Sequence, residues 1–134
     1  MSNRLTSQRT AIVEALRNAP GPLRPCEILD LASARAPTLG IATVYRQLKR
    51  MLEAGNVCTV ELGRQDVRYE LTDRGHPAHH PHFVCRNCGD AFDVPRSPDG
   101  IADLAPPGFA LEDHELTLYG RCSDCIKAND PDAG

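Results

Sequence analysis

Apolar positions along the first half of the chain fall on three helical stripes before any strand pattern begins. Ile12, Val13, Ala15 and Leu16 recur at helical spacing, which predicts a helix opening near Leu5 with Thr6 or Ser7 as its cap. Asn18-Ala19-Pro20-Gly21-Pro22 ends it. Pro25 suits a first helical position, and Ile28, Leu29, Leu31 and Ala32 carry a second short helix as far as the Ala36-Pro37-Thr38-Leu39-Gly40 break. Cys26 lies on that helix and is expected in the core. The third stripe is the clearest: Ile41, Val44, Leu48, Met51 and Leu52 repeat at three- and four-residue steps, and Ala54-Gly55-Asn56 is a stop signal. Val57 to Leu62, the turn Gly63-Arg64-Gln65-Asp66, and Val67 to Leu71 then read as strand, turn, strand. Three helices followed by a hairpin is the order of a winged helix-turn-helix unit, in which the third helix enters the major groove and the hairpin is the wing.

The second half is less regular. Phe83 to Cys85 and Ala91 to Val94 read as strands, as do Phe109 to Leu111 and Glu115 to Tyr119. Ile101 to Leu104 is a short helical patch inside a proline-rich stretch, and the last residues are a polar tail expected to be disordered. The predicted architecture is α/β in the α+β sense. A winged-helix unit spans residues 1–73, a hinge residues 74–79, a small C-terminal α/β unit residues 80–127, and the tail residues 128–134.

Composition sharpens this picture. Of 134 residues only 4% are aromatic and none is Trp, so any core must be aliphatic. Two units of this size are each marginal alone, which makes a metal staple or dimerisation an expectation. Residues 1–75 carry 11 Lys and Arg against 8 Asp and Glu, whereas residues 76–134 carry 4 against 10. The basic first half suits a polyanionic partner. No apolar h-region opens the chain and no apolar run approaches membrane-spanning length, so the expectation is a cytoplasmic protein with no membrane partner.

The chemistry concentrates in two places. Cys85-x-x-Cys88 and Cys122-x-x-Cys125 offer four thiolates, a closed tetrahedral shell suited to structural Zn2+. Redox-active pairs are the alternative reading. His79, His80 and His82 precede the first pair. On an extended segment His80 and His82 share a face, His79 points away from it, and Cys85 lies an odd number of residues beyond His82. The His pair and the thiolates are therefore expected to serve different sites. The polar face of the third helix carries Thr43, Tyr45, Arg46, Gln47, Lys49 and Arg50, residue types that read bases and clamp phosphate on double-stranded DNA.

The order of these motifs resembles the ferric uptake regulator family. Leu5-Thr6-x-x-Arg9, Ala42-Thr43-Val44-Tyr45-Arg46, Tyr69-Glu70-Leu71, His80-x-His82-x-x-Cys85-x-x-Cys88-Gly89 and Leu118-Tyr119-Gly120-x-Cys122-x-x-Cys125 carry the resemblance, over about residues 5–125. It implies a homodimeric, metal-responsive repressor acting on palindromic operator DNA. The C-terminal unit would be the dimerisation domain. By position, Cys85, Cys88, Cys122 and Cys125 resemble structural zinc ligands. Glu70, His80, His82 and Asp93 resemble ligands of a regulatory divalent metal, Zn2+ or Fe2+ with Mn2+ or Ni2+ as further options. His79 and His114 fall where some members build an additional site. Thr43, Tyr45, Arg46, Lys49 and Arg9 resemble DNA contacts.

Cys58 sits on the first wing strand, where zinc-sensing members place a ligand. A soft thiolate favours zinc over iron(II), which points toward the zinc uptake branch, and a merely buried thiol is the alternative. The chain departs from the pattern at Pro22-Leu23-Arg24, where many members have a sensory His. A peroxide-sensing or thiol-redox regulator of the same fold is the alternative function. A small zinc enzyme is the more distant one: no H-E-x-x-H is present, so no enzymatic activity and no small organic substrate are expected.

Overall fold

In the computed structural model the described residues are 3–63, 65–72, 81–95 and 99–129. The chain divides into two compact units, Met1–Gly75 and His76–Gly134. The expected hinge, with His79 and His80, lies outside the described residues.

The first unit runs α1 (Asn3–Asn18), α2 (Pro25–Ala32), α3 (Ile41–Glu53), β1 (Val57–Glu61) and β2 (Val67–Leu71). Helix α1 starts several residues ahead of Thr6 and Ser7, so neither is its cap. Ile12 and Leu16 of α1, Ile28 of α2, and Val44, Leu48 and Met51 of α3 are all buried and form one aliphatic core closed by Val57 and Leu71. Cys26 is exposed rather than in this core. Ile28 and Ala32 define the buried stripe of α2, and Cys26, two residues before Ile28, projects from another side of the helix. Helix α3 ends in a Schellman arrangement, with Asn56 N–H donating to Met51 O at 2.8 Å and Gly55 N–H to Leu52 O at 3.1 Å. Gly55 takes φ +80°, a conformation that a side chain resists, so the stop signal has a backbone cause.

Strands β1 and β2 pair antiparallel from Val57↔Leu71 to Glu61↔Val67. A third segment joins them: Leu23 pairs with Tyr69 through two backbone bonds of 2.9 and 2.8 Å.

The second unit holds β3 (His82–Cys85), β4 (Ala91–Asp93), a 3₁₀ turn (Ile101–Leu104), β5 (Thr117–Gly120) and α4 (Ser123–Asn129). The sheet order is β4-β3-β5, with β3/β4 antiparallel and β3/β5 parallel. Residues 109–111 form no strand, contrary to the pattern-based expectation. Helix α4 was not foreseen and runs to Asn129, into the stretch expected as tail. No helix among the described residues is long and apolar enough to cross a membrane.

Candidate metal centres and nucleic-acid face

Each Cys-x-x-Cys pair is delivered by the end of a strand. After β3 the chain turns tightly, with Gly89 N–H donating to Cys85 O at 2.9 Å and Cys85 N–H to Asp90 O at 2.9 Å. After β5 the second pair opens α4, where Ile126 N–H donates to Cys122 O at 3.0 Å. The parallel register His82↔Thr117 to Cys85↔Gly120 brings the two strand ends side by side, and Arg86 N–H to Gly120 O at 2.7 Å extends the pairing past the strand. A Cβ at Gly120 would lie 2.9 Å from the tip of the Phe83 ring, so a larger residue there would have to displace that ring. Arg86 also lies 4.9 Å from the centre of the Tyr119 ring.

All four sulfurs lie within 4.8 Å of one another. Cys85 Sγ is 3.7 Å from Cys125 Sγ, and Cys88 Sγ is 3.9 Å from Cys122 Sγ. Zinc–sulfur bonds of about 2.3 Å in a tetrahedron require sulfur separations of about 3.8 Å, which these two pairs match, so the donor set suits zinc. Backbone N–H groups favour the thiolate at Cys85. The Cys88 N–H, 3.4 Å away, and the Cys122 and Asn87 backbones outweigh burial and hold this thiol down to about 6. Cys88 is pushed up to about 12, because burial and the neighbouring sulfurs of Cys85, Cys125 and Cys122 overcome the Asp90 backbone donor. A second thiolate beside a first is costly, and a bound dication removes that cost.

His82 and Asp93 are register neighbours across β3 and β4. Their Nε2 and Oδ1 atoms are 3.6 Å apart, and each side chain is 8% exposed. Cys85 lies three residues along β3 and so faces the other side of the strand, which keeps this pair distinct from the sulfur cluster.

In the first unit Glu70 is buried on β2 and lies directly across the hairpin from the half-buried Cys58. Side chains opposed in this way are close neighbours. His114 is half-buried, and its backbone N–H donates to Asp113 Oδ1 at 2.8 Å.

Helix α3 presents Tyr45, Arg46, Lys49 and Arg50 to solvent opposite its buried stripe. Arg46 Nη2 donates to Thr43 Oγ1 at 2.9 Å, which holds the guanidinium along the helix. Gln47 is buried and leaves the polar face to which its residue type assigned it. Arg9 stands apart from that face. It lines a small pocket with Arg17, Met51, Leu71 and Thr72, on the side of α3 that carries the buried Met51. The sequence reading missed three further charged residues, Arg24, Asp66 and Arg68, which meet at the base of the wing.

A model of the ferric uptake regulator family matches residues 1–119. The chain is 34% identical over 125 residues to the ferric uptake regulation protein of Campylobacter jejuni, covering 90% of this chain and 78% of that protein. Among solved structures it is similar to a zinc-bound manganese uptake regulator, with TM-score 0.72, 27% identity, and coverage of 91% of this chain and 89% of that one. It is also similar to a zinc uptake regulator complexed with zinc and DNA, with TM-score 0.56, 29% identity, and coverage of 92% and 84%. The chain belongs to the ferric uptake regulator family of metal-responsive transcriptional repressors.

Proposed function

We propose that this chain represses transcription as a homodimer on palindromic operator DNA, and that its regulatory cation is held by Glu70, His80, His82 and Asp93 with Cys58 as a further ligand. The observation that carries this reading is the buried His82–Asp93 pair, 3.6 Å apart, on the face of β3 opposite the cysteine cluster. An imidazole and a carboxylate placed together away from solvent are a donor set for a divalent cation, separate from structural zinc. Cys58, facing Glu70 across the hairpin, tips the preference from iron(II) toward zinc. The similarity to a zinc uptake regulator bound to zinc and DNA supports the same choice. His79 and His114 are assigned to an additional site.

The four-cysteine cluster is a closed shell with no position for a reacting water, so the chain is read as a regulator and not an enzyme. Free thiols in that cluster support a cytoplasmic location, where cysteine clusters stay reduced and bind metal.

Glu70 precedes residues 74–79 in the chain and His80 follows them. Ligands from both sides of this segment make metal binding favour one arrangement of the two units, and hence one spacing of the paired α3 helices. What a divalent cation supplies is simultaneous attraction for imidazole, carboxylate and thiolate. Moving the DNA-competent fraction from about 1% to about 99% needs about 5.5 kcal/mol of differential binding, within reach of such a ligand set. Arg46, Tyr45 and Thr43 then read base edges while Lys49 clamps phosphate.

The test is His80→Ala combined with His82→Ala. The expected product is a folded, zinc-containing dimer whose operator affinity no longer rises when metal is added. A wild-type metal response would move the regulatory site elsewhere, with His79 and His114 the next residues to examine.

A further inference from the structure

Asp66 closes the wing turn, its carbonyl accepting from Leu62 N–H at 2.9 Å. Its carboxylate is gripped from two sides. Arg68, on β2, donates from Nε and Nη2 at 3.0 Å each. Arg24, at the entry to α2 and 42 residues earlier, donates from Nε at 3.1 Å and Nη2 at 3.3 Å. The Arg68 side chain is fully buried, and its Nη1 has no acceptor among the described residues. Arg24 is anchored in turn, because Glu27 Oε1 accepts its backbone N–H at 2.8 Å. A guanidinium cannot accept a bond, so Arg24 gives up the side-chain cap that Ser, Thr or Asp would provide. Beside it, Leu23 pairs with Tyr69.

Stability alone does not account for this arrangement. A buried guanidinium with one unmet donor is an expensive way to hold a hairpin that apolar packing would hold as well. A planar fork gripping two oxygens contributes direction. It joins the wing turn to the entry of α2, and α2 packs on α3.

We propose that Arg24 is a positioning residue for operator binding: through Asp66 it fixes the wing relative to α3, so that both engage one duplex together. The proposal rests on the reading that α3 and the wing bind DNA. The two guanidinium groups hold the Asp66 carboxyl down to about 2, Arg68 more than Arg24, so the fork stays charged throughout the working range of pH.

The test compares Arg24→Met and Arg24→Lys with Arg46→Ala, in the metal-loaded, full-length dimer. The probe is a palindromic duplex selected from a random library by the wild-type protein. Affinity is measured by fluorescence anisotropy over a salt series, with zinc content and thermal midpoint as folding controls. Arg24→Met is expected to lose affinity roughly tenfold, the weight of one charge-assisted fork, with the salt slope unchanged. Arg24→Lys is expected to lose nearly as much, because an ammonium keeps the charge and not the fork. Wild-type affinity in Arg24→Lys, together with a salt slope lowered by about one in Arg24→Met, would make Arg24 a phosphate contact and overturn the proposal. Both Arg24 variants binding normally while Arg46→Ala fails would overturn it while sparing the reader helix. Normal binding by Arg46→Ala would remove the reader helix and the proposal with it.

Discussion

The two units stabilise chains of similar length by different means. The first buries a continuous aliphatic core, from Ile12 and Leu16 through Ile28 to Leu48 and Met51, and closes its helices with backbone devices such as the Gly55 stop. In the second, Cys85 and Cys125 are themselves core residues, next to Val84 and Ala91. Its larger apolar side chains point outward: Leu104 is 78% exposed, Phe109 71%, Ile126 50% and Tyr119 47%. A unit that leaves so much apolar surface in water depends on something besides its own packing. The sulfur cluster supplies a metal staple, and the homodimer supplies a partner. Strand β5 is an edge of the three-stranded sheet among the described residues and carries exposed Leu118 and Tyr119, so this unit leaves an apolar edge in water. The lesson is one of division of labour. The first unit is built to hold its own shape, and the second, with its cysteine cluster in place of a large apolar core, is built to need help.

Removing zinc should break this comparison most widely. Structural zinc contributes on the order of 10 kcal/mol to folding. Cys85→Ser or Cys122→Ser is therefore expected to lose zinc and dimerisation while keeping most of the helical circular dichroism, which α1 to α3 supply. Metal analysis and analytical ultracentrifugation on the same sample check both halves of that statement. A stable, metal-free dimer would show that the second unit packs well enough alone.

The reverse perturbation is smaller. Leu48 is almost fully buried in the first core, and Leu48→Ala should cost about 2–5 kcal/mol. The helical unfolding transition should move to lower denaturant with zinc still bound. Zinc release at the same denaturant concentration would mean that the units unfold as one.

The same contrast governs what could be read without coordinates. Helix α3 was legible because Val44, Leu48 and Met51 repeat at the helical period and are buried, whereas Ile41 and Leu52 at the two ends of the predicted stripe are exposed. The zinc cluster was legible because ligand spacing is a local property of each knuckle. Phe109 to Leu111 has strand-like composition, yet these residues pair with no described strand, and composition cannot supply a partner. Gln47 is polar but sits one residue from Leu48 on the buried side, so position overrode residue type. Helix α4 is only seven residues long and begins inside Cys122-x-x-Cys125, too short for an apolar stripe to announce it. The Arg24–Asp66–Arg68 cluster joins residues 42 apart, and no local pattern marks such a meeting.

Acid separates the units by the smallest increment. Zinc needs thiolates, so protons compete with it and the second unit should yield first as pH falls. In the first unit the Asp66 carboxyl sits at about 2 against an ordinary 3.8, held there chiefly by Arg68 and then by Arg24. A carboxyl whose folded value is depressed stabilises the fold fully above its ordinary value. That contribution fades as pH drops through the window from 3.8 toward 2. It should be modest, because the Asp66 and Arg24 side chains are 20% and 41% exposed and water screens the pair. An acid titration that follows zinc release with a chromophoric chelator and helix content by circular dichroism should show two steps, zinc first and helix second. The helical step should reach into that lower window. In Arg24→Met it should shift upward slightly, while the zinc step stays where it was. A single step, with zinc and helix lost together, would mean that the first unit borrows its stability from the second.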